Sequence, residues 1–367
     1  MKNIITYTRE NFDTFDQFPF HSVDSLILSS AAYIHFPDVI PEVENWKGIR
    51  LQELYRTEFF DEMFHNIPLG EDTKQLFFAL AASPRFRNIR IMGYTEQFDL
   101  TAQKQFCAMT FQIQPDLYYI AFRRTDSTFV GWKEDFNMAF KSPIPSQEEA
   151  VRYIKKASLY CRGRLLTGGH SKGGNLAVYA AAKCGKNIQR QIEKVYSHDG
   201  PGFLESTLQS KEFLDISSRI EKTLPQSSVI GMMLEHRANF DIVKSNTMGL
   251  LQHNQFTWEI EGNHFVYIEN LTKNARFTDR TLTDWLNYIS EEDRERFVDS
   301  LYSVLNANNL TSIDDFKSEW QTAIPATLHA ISQLDGDTKK FILHTLRKLA
   351  SMGIKNVAIL GKDKTKV

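Results

Sequence analysis

"LLTGGHSKGGNLAVYAAAKC", residues 165–184, is the stretch on which the fold turns. A short apolar run climbs into glycines, one serine sits among them, and small helix-forming residues follow at once. Residues 163–169 predict a strand, residues 172–184 a helix, and "EKVYSHDG" (193–200) a second strand. Strand, helix and strand in that order make a βαβ unit, which implies a parallel sheet with helical cover. Gly169, Ser171 and Gly173 fit G-x-S-x-G in the strand–turn–helix setting that a nucleophile elbow needs. In such a turn the serine backbone is strained and its Oγ is lifted out of the sheet edge. Side chains at the flanking positions would collide with the strand and helix pressed against the turn. The helix N-terminus behind Ser171 points its dipole at any oxyanion formed there. A phosphate cradle is the competing reading, but a P-loop needs G-K-[ST], and here Ser171 precedes Lys172.

A serine hydroxyl needs a histidine to take its proton and a carboxylate to hold that histidine's tautomer. In α/β-hydrolase order the acid and then the base follow the serine. Asp199 stands 199 − 171 = 28 residues on, room for one helix and one strand. Gly200, Pro201 and Gly202 would turn the chain there, leaving the carboxylate on the same sheet rim as Ser171. The rival acid is Asp241, in "ANFDIVKSN", and the plain reading of Asp199 is a turn residue. For the base, His253 in "GLLQHNQFTW" lies between apolar segments, and His264 in "EGNHFVYI" is the alternative. His236 reads as a helix-end or surface residue, and His329 and His344 as structural residues of the tail. His170, beside the serine, lines the site or packs beneath the elbow.

Around this unit the chain of 367 residues is 42% hydrophobic and 24% charged, with a net charge of −2. Nothing in that balance recruits nucleic acid or an anionic membrane. The 27 phenylalanines point to an aromatic core or an apolar groove. Residues 1–18 carry no apolar signal-peptide core, and no run reaches the length of a membrane span. Cys107, Cys161 and Cys184 show no C-x-x-C spacing, which argues against disulfides and structural zinc and for a cytoplasmic protein. Neither a metal nor an organic cofactor is implied.

Further elements are a helix over 22–36 capped by Ser22 or Asp24, and two strands over 104–126 joined at Gln114-Pro115-Asp116. A helix over 146–161 has Ser146 and Glu149 in capping-box register, and 218–234 and 256–270 add strand material. From Thr281 the chain is helical and charged, which divides it into an α/β unit, 1–275, and a helical C-terminal appendage, 276–367. In the tail Ile342, Leu346 and Leu349 form a stripe beside Lys339, Lys340, Arg347 and Lys348. Such a stripe packs on a core more often than on lipid, so peripheral membrane contact is not favoured.

"YYIAFRRTDSTFVGWKEDF" (118–136) resembles the class 3, fungal-type lipase pattern, in which a strand ends in F-R-G-T and W-x-x-D follows. With "GGHSKGGNLA" and "SHDGPGF" it is similar to a bacterial family of lipase-like α/β-hydrolases catalogued as a domain of unknown function. The resemblance spans roughly residues 20–270. It implies an α/β-hydrolase with a mostly parallel sheet flanked by helices. It also implies oxyanion-hole roles for Thr125, after the F-R-G-like turn, and for the backbone N–H of Lys172. Trp132 and Asp135 would support that loop. Arg124 stands where the family has glycine, which sets a long cation beside the site. The family's usual acid position falls in "LPQSSVIG", which offers Ser227 and Ser228 but no carboxylate, and Asp199 remains the acid candidate.

The function so implied is a serine hydrolase of carboxylic esters, acting on an acyl ester or lipid through Ser171, His253 and Asp199. The alternatives are a thioesterase, acyltransferase or peptidase using the same triad, or a non-catalytic relative that binds or regulates.

Overall fold

The computed structural model describes residues 2–36, 40, 43–99, 104–123, 133–134, 137–138, 141–234, 239–306, 329, 331 and 334–362. The strands are Ile49–Arg50 (β1), Arg90–Asp99 (β2), Lys104–Gln114 (β3), Leu117–Arg123 (β4), Arg164–His170 (β5), Ile192–His198 (β6), Ile220–Pro225 (β7), Phe240–Val243 (β8), Ile260–Glu261 (β9), His264–Phe265 (β10) and Tyr267–Ile268 (β11). The longer helices are Ile4–Glu10 (α1), Ser22–Ala31 (α2), Gly70–Ala82 (α3), Pro145–Tyr160 (α4), Lys172–Lys183 (α5), Lys273–Tyr288 (α6), Glu291–Asn306 (α7) and Gly336–Lys362 (α8).

β4, "LYYIAFR", has no polar alternation and is buried along its whole length, as a strand covered on both faces must be. Strands pair in the order β1-β2-β3-β4-β5-β6-β7-β8-β11. β4 to β8 run parallel, and antiparallel pairs flank them on both sides. The β3–β4 hairpin turns at the expected Pro115-Asp116. Side chains alternate between two cores, following the strand period of two. Cys107, Met109, Phe111, Tyr119 and Ala121 pack with α1, α2 and α3. Phe106, Ala108, Ile120 and Phe122 pack with Ala150, Tyr153 and Ala157 of α4 and Leu176, Ala177 and Ala180 of α5. This is the α/β-hydrolase arrangement, a mostly parallel sheet flanked by helices with the glycine-rich turn after a central strand.

Two expected caps differ. α2 is capped by His21, whose Nδ1 accepts from the Val23 N–H at 3.2 Å while Asp24 accepts from the His21 N–H at 3.1 Å. Asp24 is otherwise committed to buried Arg85, 2.6 Å away, and the helix ends at Ala31, not at 36. α4 starts one residue earlier than expected, at Pro145, whose fixed φ suits the first helical position. Gln147, not Glu149, accepts from the capping Ile144 N–H at 3.1 Å. Strand content is also shorter than expected: β7 ends at Pro225, and 256–270 holds only the two-residue strands β9, β10 and β11.

The expected division at 275/276 falls in the first turn of α6. Trp285, Ile289, Phe297 and Ile342 form a cluster of their own among α6, α7 and α8. Lys133 pairs with Asp299 at 2.8 Å, and the Thr272 N–H reaches the Gln226 carbonyl at 2.8 Å, joining these helices to the sheet unit. Among the described residues no helix is long and apolar enough to cross a membrane.

Candidate active site

β5 ends at His170, and α5 begins at Lys172, which leaves Ser171 alone in the turn. Its φ is 60° and ψ −132°, a conformation that costs a non-glycine residue about 1–3 kcal/mol. The Ser171 N–H is held by the His198 carbonyl at 2.8 Å. The glycines permit this packing. A Cβ at Gly169 would lie 2.2 Å from the Gly173 carbonyl carbon, and one at Gly173 would lie 2.0 Å from the Phe122 carbonyl oxygen. The helix and strands therefore meet backbone to backbone.

Asp199 follows β6 directly, with φ 50°, a left-handed conformation that aspartate tolerates. It is buried, and its Oδ1 accepts from Ser228 Oγ and from the Gly231 N–H at 3.1 Å. His253 closes the short 3₁₀ turn Gly249–His253 between β8 and β9. That turn is anchored by Gln252, which accepts from the Ser227 N–H at 2.7 Å and donates to the Thr247 carbonyl at 2.6 Å. The indole of fully buried Trp258 donates to the Gln252 carbonyl at 2.8 Å.

These three loops bring the side chains together. His253 Nδ1 lies 2.6 Å from Asp199 Oδ2, and His253 Nε2 lies 2.9 Å from Ser171 Oγ. A carboxylate only accepts, so Nδ1 carries the proton and Nε2 is left to accept from the serine hydroxyl. His170 is buried with its ring centroid 4.6 Å from that of His253, and its Nδ1 lies 3.3 Å from Tyr33 Oη. Lys172 is buried, and its ammonium meets the Glu134 carboxylate at 2.5 Å. Chemically, the arrangement can pass a proton from a serine at the sheet edge to an imidazole whose cation is balanced by a buried carboxylate.

Two neighbouring groups carry strongly shifted acidities. Burial pushes the His198 imidazole down to about 3, and it sits between Ser25 Oγ at 2.9 Å and Thr223 Oγ1 at 2.8 Å. Burial pushes the Lys222 ammonium down to about 7, against the opposing pull of Asp199. Lys222 donates to the Gly231 carbonyl at 2.8 Å.

The rival residues lie apart from this cluster. Asp241 is exposed on β8, opposite Thr223. His264 is exposed on β10, and its Nδ1 donates to the Phe265 carbonyl at 3.0 Å. His344 is exposed on α8. Arg124, Thr125, Trp132, Asp135 and His236 lie outside the described residues. Sequence reasoning missed Ser228, Gly231, Gln252 and Glu134. "LPQSSVIG" lacks a carboxylate and instead supplies Ser228 and Gly231 as donors to Asp199. Glu134 had a signal of its own, an acidic residue one position before the aspartate of W-x-x-D. Among the described residues no group of His, Cys, Asp and Glu is disposed to hold a metal ion.

Compared with known families, residues 80–303 match the family model described as Mbeg1-like. No curated protein matches the sequence. Among solved structures, the chain is similar to the M37 lipase at 13% identity and TM-score 0.38, over 59% of this chain and 70% of that one. A fungal lipase–inhibitor complex, described as a model for interfacial activation, is similar at 16% identity and TM-score 0.34, over 60% and 75%. The Rhizomucor miehei lipase–propeptide complex is similar at 14% identity and TM-score 0.33, over 58% and 70%.

Proposed function

The chain belongs to the Mbeg1-like family, and from that premise we propose that it is a serine hydrolase of carboxylic esters, acting through Ser171, His253 and Asp199. The observation that carries this reading is the unbroken hydrogen-bond chain from Ser171 Oγ through His253 to Asp199, at 2.9 Å and 2.6 Å. Ser171 Oγ attacks the ester carbonyl as its proton passes to His253 Nε2. Asp199 balances the imidazolium and keeps Nδ1 protonated. His253 then gives the proton to the leaving alcohol, and an acyl-enzyme on Ser171 remains. Water, deprotonated by His253, attacks the acyl carbon and releases the acid, which restores the serine.

Thr125 and the Lys172 backbone N–H take the oxyanion-hole roles in this proposal; each such donor contributes about 2.7–4 kcal/mol to the transition state. In this proposal Arg124, the neighbour of Thr125 in the sequence, favours an anionic substrate. The substrate is an acyl ester or lipid. A cytoplasmic setting is supported by the three buried, unpaired thiols Cys107, Cys161 and Cys184.

Ester hydrolysis and fluorophosphonate labelling by wild type and Ser171→Ala test the proposal. The wild type should hydrolyse short-chain p-nitrophenyl esters and take the label, while the folded alanine variant should do neither. Ester turnover by Ser171→Ala at the wild-type rate would refute it.

A further inference from the structure

Glu134 is a buried carboxylate with both oxygens engaged. Its Oε1 accepts from the Ser146 N–H at 3.0 Å and from Ser146 Oγ at 2.6 Å. Its Oε2 accepts from the Gln105 N–H at 3.1 Å and from Lys172 Nζ at 2.5 Å. Lys172 Nζ also approaches the Gln105 carbonyl at 3.4 Å. Both side chains of the pair are 1% exposed. The first turns of α4 and α5 and the start of β3 thus meet at one carboxylate.

Stability alone does not account for such a pair. Removing two charges from water is costly, and apolar residues of similar volume hold a fold together equally well. Position does account for it. Lys172 is the residue after the nucleophile, and Glu134 stands nine residues after Thr125.

We propose that the Lys172–Glu134 pair is a positioning device for the oxyanion hole, a clasp that locks the nucleophile elbow to the first turn of α4 and the start of β3 and so aims the Lys172 backbone N–H. This rests on the assignment of Ser171 as nucleophile and of the Lys172 N–H as an oxyanion donor. Lys172 therefore acts twice, its backbone N–H as a donor and its side chain as the anchor that orients that donor. Glu134 touches neither substrate nor Ser171 in this scheme; it acts through Lys172. Displacement of donors by a fraction of an ångström weakens transition-state binding more than substrate binding, so the effect belongs in kcat.

The test uses Lys172→Met, Glu134→Gln and the double variant in the full-length chain, with kcat and KM for a p-nitrophenyl ester and Tm measured together. Each single variant leaves one charge buried alone and should lose stability; the double variant removes both and should regain a Tm near wild type. Each folded single variant should lose about 10–100-fold in kcat with KM changed by less than about threefold. The double variant should lose no more than the worse single, because both changes break one clasp. A double variant with wild-type kcat, losses that multiply, or a change confined to KM would overturn the proposal. Ser171→Ala run alongside separates the two readings. An inactive Ser171→Ala beside fully active clasp variants refutes the clasp and leaves the hydrolase standing, whereas an active Ser171→Ala removes the nucleophile itself.

Discussion

Replacing Asp199 by asparagine tests the proton path with almost no change of shape. Two donors, Ser228 Oγ and the Gly231 N–H, converge on Oδ1. The hydroxyl can rotate away but the backbone N–H cannot, so the amide oxygen of an asparagine must occupy that side. Its NH₂ group then faces His253 Nδ1 at the present 2.6 Å. An amide N–H only donates, which forces Nδ1 to accept and moves the imidazole proton to Nε2. That proton would point at Ser171 Oγ, 2.9 Å away, where a lone pair is needed. The expected loss in kcat is about 10⁴-fold, or about 5.4 kcal/mol of barrier. Tm should change little, since the contacts to Ser228 and Gly231 survive. The assay is ester hydrolysis with the labelling rate by a fluorophosphonate as a second readout. A folded Asp199→Asn variant within about tenfold of wild-type kcat would refute the tautomer argument, because a wrong tautomer cannot cost so little.

Three further outcomes follow from particular contacts. Asp241→Asn and His264→Ala should each keep ester hydrolysis within about twofold of wild type, as expected of exposed residues outside such a site; a large loss in either would move the acid or base away from Asp199 or His253. Gly173→Ala should cost about 4 kcal/mol or more in urea unfolding, since its Cβ would sit 2.0 Å from the Phe122 carbonyl oxygen and backbone must shift; an unchanged midpoint would contradict that close approach. His198, whose folded acidity is depressed from 6.5 to about 3 by burial, contributes stability that is fully present above 6.5 and is lost as pH falls toward 3. The unfolded chain binds that proton first, so unfolding free energy should drop by about 2 kcal/mol between pH 7 and 5 from this group alone. His198→Gln should flatten that part of the profile, and an unaltered slope would show that the imidazole is not held neutral.

The sequence alone determined the elbow, because its logic is local. Gly169, Ser171 and Gly173 lie within five residues, and the contact that requires a missing Cβ runs from Gly169 to Gly173 inside that window. The βαβ order and the β3–β4 hairpin were legible for the same reason, each depending on periodicity and turn chemistry within a few residues. Choosing among candidate acids and bases was different. The His253–Asp199 contact spans 54 residues of chain and the His253–Ser171 contact spans 82. No local pattern encodes either, and three separate loops must fold before an imidazole can face a hydroxyl. The supports of Asp199 and the burial of Lys172 against Glu134 were equally out of reach, since a serine in a turn or a lysine after a serine reads as a solvated residue until other elements cover it. A buried charge tolerates only a partner delivered by the fold, so the residues that tune such a site are named by tertiary structure, while those that make its turn are named by the chain itself.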